Sequence, residues 1–178
     1  FLKKRRNYWN AWQYVLRRTF LLENKLFFLE GVYSEDIEFA TGIILTAKKF
    51  AFYGKPYYYY RIGRECSLAN KVTLKHVVDL MDMLSISIKR ILEGDFLYKD
   101  VLINKLSLQY ILSFVMIYDV DLEDKNKSKE YIVKNKKIYL SMKHMGIVKK
   151  IFLKIGILPS AYVLNIIRSI RRFVLKMH

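Results

Sequence analysis

Apolar residues recur at helical spacing over most of this chain. Ile37, Ala40, Ile44 and Ala47, with Phe39 and Ile43 beside them, fall on one side of a 3.6-residue helix. Ser34 precedes that run as an N-cap, and Glu35 and Asp36 fill a first turn whose free N–H groups favour negative charge. The pattern predicts a largely buried helix with Lys48 and Lys49 near its end. Residues 50–53 and 57–62, rich in aromatic side chains around a Gly54-Lys55-Pro56 turn, predict two short strands, with the rings of 57–60 alternating between faces. Upstream, residues 9–28 form an aromatic and aliphatic stretch, interrupted by Arg17 and Arg18 and closed by Gly31.

Beyond residue 70 the grammar is helical. Residues 73–92, ended by Gly94, and 96–120 read as long amphipathic stretches, and the polar residues 119–128 predict a helix end and loop. Residues 130–142, 147–155 and 160–177 complete the series, with Gly146, Gly156 and Pro159 as punctuation. The expected organisation is a mixed α/β piece over residues 1–70 and a helical extension over residues 71–178.

Charge changes the picture. The chain of 178 residues carries a formal net charge of +16, and residues 126–178 alone account for +12, against −2 for residues 71–125. Such segregation predicts a polyanionic neighbour. Ile166, Ile167, Ile170, Phe173 and Val174 form an apolar stripe beside Arg168, Arg171, Arg172 and Lys176. A basic amphipathic helix of this kind suits an anionic bilayer surface, each cation adding about 1 kcal/mol near it. The competing reading packs the stripe on the preceding helices and leaves the charges solvated. Nucleic acid ranks below the bilayer, because no nucleic-acid-binding motif accompanies the charge. The longest stretches without a charge, residues 106–118 and 155–167, have 13 residues each, short of the roughly 20 a span needs. The single Cys66 excludes an internal disulfide and a multi-cysteine zinc site. His76, His144 and His178 lack ligand-spaced partners and read as solvated or packed. The start at Phe1 predicts a fragment of a longer polypeptide.

One ordered series of residues carries more. Trp12-x4-Arg17-Arg18-x-Phe20-Leu21-x-Glu23-Asn24 is followed by Phe28-x-Glu30-Gly31 and by Glu35-Asp36-x2-Phe39. Ala47-Lys48-Lys49 and Tyr58-x-Tyr60-Arg61-x5-Ser67 complete it. In order and spacing, this series resembles the C-terminal part of the catalytic domain of family 2 glycosyltransferases, which are inverting, nucleotide-sugar-dependent enzymes. The likeness covers roughly a third of the chain. It implies the acceptor-side part of a GT-A (Rossmann-like) domain with short β-strands, followed by the helical C-terminal region. It also implies a parent enzyme of cell-surface polysaccharide or glycan biosynthesis, peripheral at the cytoplasmic face of the membrane. That enzyme would take a nucleotide-sugar donor and a glycan or lipid-linked acceptor.

The resemblance further implies roles for residues. Asp36 is the general base that takes the acceptor hydroxyl's proton, a task that contributes about 10²–10⁴ in rate; Glu35 orients it or binds acceptor hydroxyls. Arg61 and Arg64 are candidates for the donor diphosphate, because guanidinium pairs bidentately with phosphate oxygens. Trp12, Arg17 and Arg18 are candidates for the acceptor groove. The family's DxD motif, with its Mg or Mn, belongs to a donor half N-terminal to this series, so no metal is expected within the chain and the chain alone is expected to be inactive. Asp119-Val120-Asp121 has the DxD form but follows the acidic pair, and reads as a helix end. The alternative to the enzymatic reading is a non-catalytic membrane-surface or interaction module derived from such an enzyme.

Overall fold

The computed structural model describes residues 9–61, 71–140 and 154–176. They form helices α1 (Arg18–Glu23), α2 (Glu35–Thr46), α3 (Leu74–Glu93), α4 (Lys99–Ser113), α5 (Lys125–Lys134), α6 (Lys137–Leu140) and α7 (Ile157–Lys176). Short 3₁₀ turns cover Ala11–Gln13, Phe114–Tyr118 and Leu122–Asp124. Among the described residues there is no strand and no sheet. That overturns the α/β class and the Rossmann-like core with its short strands. The reason is the nature of a strand: its backbone groups need a neighbour to complete a ladder, and among the described residues no segment forms one with residues 50–61, although residues 12 and 13 touch them through side chains. Aromatic enrichment marks a surface suited to a pleat, not the presence of a partner.

α3 is the centre of the fold. Val77, Met81, Leu84, Ile88 and Ile91 lie on one face and are buried, each such side chain contributing about 1.5–3 kcal/mol. α2, α4 and α5 pack around it. The helix starts at Thr73, whose N–H donates to His76 Nδ1 at 3.1 Å, the reciprocal half of a capping box. α4 contributes Leu102, Ile103 and Leu106, and continues through Phe114 and Ile117 of the following 3₁₀ turn. By length and composition the run Lys99–Tyr118 is apolar enough to cross a membrane; Leu102, Ile103, Leu106, Tyr110, Ile111, Phe114 and Ile117 are buried in the core, whereas Leu108, Leu112 and Tyr118 are exposed. Tyr110 is fully buried and its hydroxyl donates to the Ile132 carbonyl at 2.7 Å, joining α4 to α5.

α2 is covered on two sides. Ile37, Ala40 and Ile44 join the α3 core, while Phe39 and Ile43 form a smaller cluster with Leu26 and with Phe20 and Leu21 of α1. The apolar core is therefore continuous across residue 70. α7 docks on the 3₁₀ turn Phe114–Tyr118 through Ser160 and Ala161, both fully buried, with Ile157 and Leu164 beside them. Pro159 lies within its first turn, where a missing N–H costs nothing. α5 begins at Lys125, inside the stretch expected as a loop; the acids Glu123 and Asp124 immediately before it suit the positive pole of a helix.

Candidate functional site

Two polar links set the start of α2. Tyr33, just before the helix, donates its N–H to Asp79 Oδ2 of α3 at 2.7 Å, and its ring stacks on His76 at 3.6 Å. Asp79 is buried and also accepts from Lys75 at 2.6 Å. Ser34 takes a left-handed conformation (φ 61°) and makes no capping hydrogen bond with its side chain, so it occupies the N-cap position without the expected function. Tyr33, held by α3, sets the entry angle of the helix instead.

On the other side, the Asp36 carboxylate accepts a hydrogen bond from the Ala11 backbone N–H. Desolvation by burial pushes the Asp36 carboxyl above its ordinary value of 3.8; the Ala11 bond opposes this, and the neighbouring Glu35 charge adds to it. Glu35 and Asp36 are half-buried, and among the described residues neither forms an ion pair. Ala11 opens the 3₁₀ turn that carries Trp12. The Trp12 ring is 39% exposed and stacks on Tyr58 at 4.9 Å, with Tyr60 at 5.9 Å. The acid pair and this aromatic group are thus neighbours through one turn of chain. None of Tyr57 to Tyr60 packs into the core: all four are exposed, Tyr59 at 95%, with Tyr58 and Tyr60 sharing the side that meets Trp12. Arg61 follows Tyr60 and is exposed. Arg64 lies outside the described residues.

Arg17 is separated from the acids. It lines a cavity of about 710 Å³ at the opposite end of α2, beside Ile43 and Ala47, and Ala47 stands about 16 Å along the helix axis from Asp36 at 1.5 Å per residue. Phe20, Phe50, Phe52 and Tyr57 also line this cavity, as do Lys48 and Lys49. The Tyr57 hydroxyl donates to the Gln13 carbonyl at 2.6 Å and closes one wall. Spacing places Lys48 and Lys49 near the end of the helix; they share a cavity with Arg17 because the fold brings residues 13–20 against 47–57.

The acids of the DxD-like triplet are separately neutralised. Asp119 pairs with Arg168 of α7 and Asp121 with Lys71 at 3.3 Å, with Val120 buried between them. Among the described residues no group of three or more histidine, cysteine, aspartate or glutamate side chains is placed to hold a metal ion. No family model, no curated protein and no solved structure matches this chain.

Proposed function

We propose that the chain is the acceptor side of a nucleotide-sugar-dependent inverting glycosyltransferase, with Asp36 as general base. The observation that carries the reading is a half-buried carboxylate, free of any ion pair among the described residues, made more basic by desolvation and set beside an exposed Trp12–Tyr58–Tyr60 group. A pyranose has one apolar face, which suits an aromatic platform; its hydroxyl then meets the carboxylate. Asp36 takes the hydroxyl proton as the acceptor oxygen bonds to the anomeric carbon. The bond from that carbon to the nucleotide diphosphate breaks on the opposite face, and configuration inverts. Glu35 orients the acceptor. Arg61 lies at the donor edge and offsets charge on the departing diphosphate. The donor itself belongs to a half outside this series of residues.

The test is Asp36→Asn in the parent enzyme. Asparagine keeps an oxygen to accept the Ala11 N–H, so the fold is retained while the base is lost, and transfer falls by about 10²–10⁴. Near-normal transfer by the folded variant removes Asp36 from this role. With a carboxyl held above 3.8, the acid limb of the rate profile lies above that value, because the ionised form is the active one.

A second feature supports peripheral attachment to the cytoplasmic membrane face. On α7, Tyr162, Val163, Ile166, Ile167 and Ile170 are between 40 and 60% exposed, so the apolar stripe faces outward and a different set of side chains docks the helix. With +12 over residues 126–178, anionic vesicles should retain the chain and neutral ones should not, and salt should release it. Equal, salt-insensitive retention by both defeats this reading.

A further inference from the structure

We infer that the cavity at the far end of α2 binds a single-chain amphiphile with a phosphate or similar anionic head. Its volume of about 710 Å³ lies within the range of small-molecule sites, roughly 300–1,000 Å³. Its walls divide by chemistry. Phe20, Ile43, Phe50 and Phe52 offer apolar surface, and Arg17, Lys48 and Lys49 supply three positive charges, with no carboxylate among the lining residues. None of the three cations forms an ion pair among the described residues.

The bland alternative is that Lys48 and Lys49 merely complement the negative pole of α2. That pole amounts to about half an elementary charge; Arg17, Lys48 and Lys49 are exposed, so water screens them, but no carboxylate of the lining offsets the rest of their charge. An anion relieves this repulsion, and guanidinium with two ammonium groups suits phosphate oxygens. A bare phosphate would leave the aromatic walls in contact with water. A nucleotide fits less well than an alkyl chain. Apart from Gln13 and tyrosine hydroxyls, the lining has no neutral hydrogen-bonding side chain to read a base edge, and the Tyr57 hydroxyl is already bonded to the chain. The site acts independently of the chemistry at Asp36.

Calorimetric titration of the whole chain with decyl phosphate, below its micelle-forming concentration, tests the inference. Saturable one-to-one binding is expected, at least about tenfold tighter than decanol, inorganic phosphate or a nucleoside diphosphate, since each charge-assisted contact is worth about that factor. Lys48→Gln with Lys49→Gln weakens it about tenfold or more, and Phe52→Ser weakens it several-fold, with helical circular dichroism unchanged. Ile166→Ser with Ile170→Ser leaves it intact, which separates the cavity from the α7 stripe, and so does Asp36→Asn, which separates it from the transfer reaction. Equal binding of decanol, of inorganic phosphate or of the nucleoside diphosphate overturns the inference. So does indifference to the lysine substitutions, or loss of binding in the α7 variant.

Discussion

The two ends of α2 solve opposite problems. At the N-terminal end Glu35, Asp36 and Glu38 meet the positive pole, and the surroundings are tied by directional bonds: Tyr33 to Asp79, Asp36 to Ala11, and Glu38 to Arg90 at 2.6 Å. At the C-terminal end Lys48 and Lys49 meet the negative pole, yet they border an open cavity and hold no ion pair among the described residues. Both ends satisfy the helix dipole. What differs is saturation. The acid end is tied to neighbouring segments by Tyr33, Asp36 and Glu38, and keeps two half-buried carboxylates, Glu35 and Asp36, outside any ion pair among the described residues. The basic end has surplus charge and empty volume. A fold that leaves one end of a helix under-satisfied has left a place for something else.

Substitutions at each end of α2 put the contrast to the test. The largest effect is on transfer, where Asp36→Asn should cost about 10²–10⁴. Next comes Gly42, midway along α2. A Cβ there would stand 2.8 Å from Leu26 Cδ2 and 2.9 Å from Arg90 Nη1. Gly42→Val should destabilise the chain by about 2–3 kcal/mol in urea unfolding, because it crowds a buried leucine and displaces the arginine that reaches Glu38. Gly42→Ala should cost less, since alanine recovers about 0.5–1 kcal/mol of helix propensity. A stabilised valine variant would show that Arg90 does not hold the acid end.

Arg90→Ala should cost about 1–2 kcal/mol. The Glu38 side chain is only 15% exposed and is left without its partner, while the 40% exposure of Arg90 screens the pair and limits the loss. Adding Glu38→Ala should restore part of it; strict additivity of the two would remove the pair from the account. The smallest effect is in pH. Because burial raises the Asp36 carboxyl above 3.8, the protonated form is favoured in the folded state. The stabilising contribution is complete below 3.8 and is lost as pH rises through the elevated value. Stability of the natural chain relative to Asp36→Asn should therefore decline as pH rises from about 3 toward neutrality. A difference that grows over that interval would reverse the sign of the desolvation argument.

Much of the helical architecture was legible in the chain because single-face periodicity reports burial directly. Ile37, Phe39, Ala40, Ile43 and Ile44 are all buried in α2, and α3 runs from Leu74 to Glu93, close to the amphipathic stretch expected there. Tyr57 to Tyr60 misled for a physical reason. Four consecutive aromatics have no alternation, so strand propensity stood alone, and propensity does not provide a partner for the backbone. For Ile166, Ile167 and Ile170 the spacing left two readings, outward toward a bilayer or inward on the preceding helices; the structure has them exposed, and the docked face rests on the small Ser160 and Ala161. At the site, the placement of Glu35 and Asp36 in a first turn was readable, but their link to Trp12 passes through the backbone of Ala11, whose side chain carries no sign of it. The Tyr33–Asp79 bond spans 46 residues, and local spacing cannot report it.

The anchoring of α2 has a mechanical corollary. Bonds of fixed length and direction gather in its first turn, at Asp36 and Glu38 and just before it at Tyr33, whereas Ile43 and Ile44 further on are held by interlocking, close-packed side chains. Orientation of the carboxylates and retention of the helix thus rest on separate sets of residues, so a change among the apolar contacts near Ala47 leaves the tethers of the acids in place.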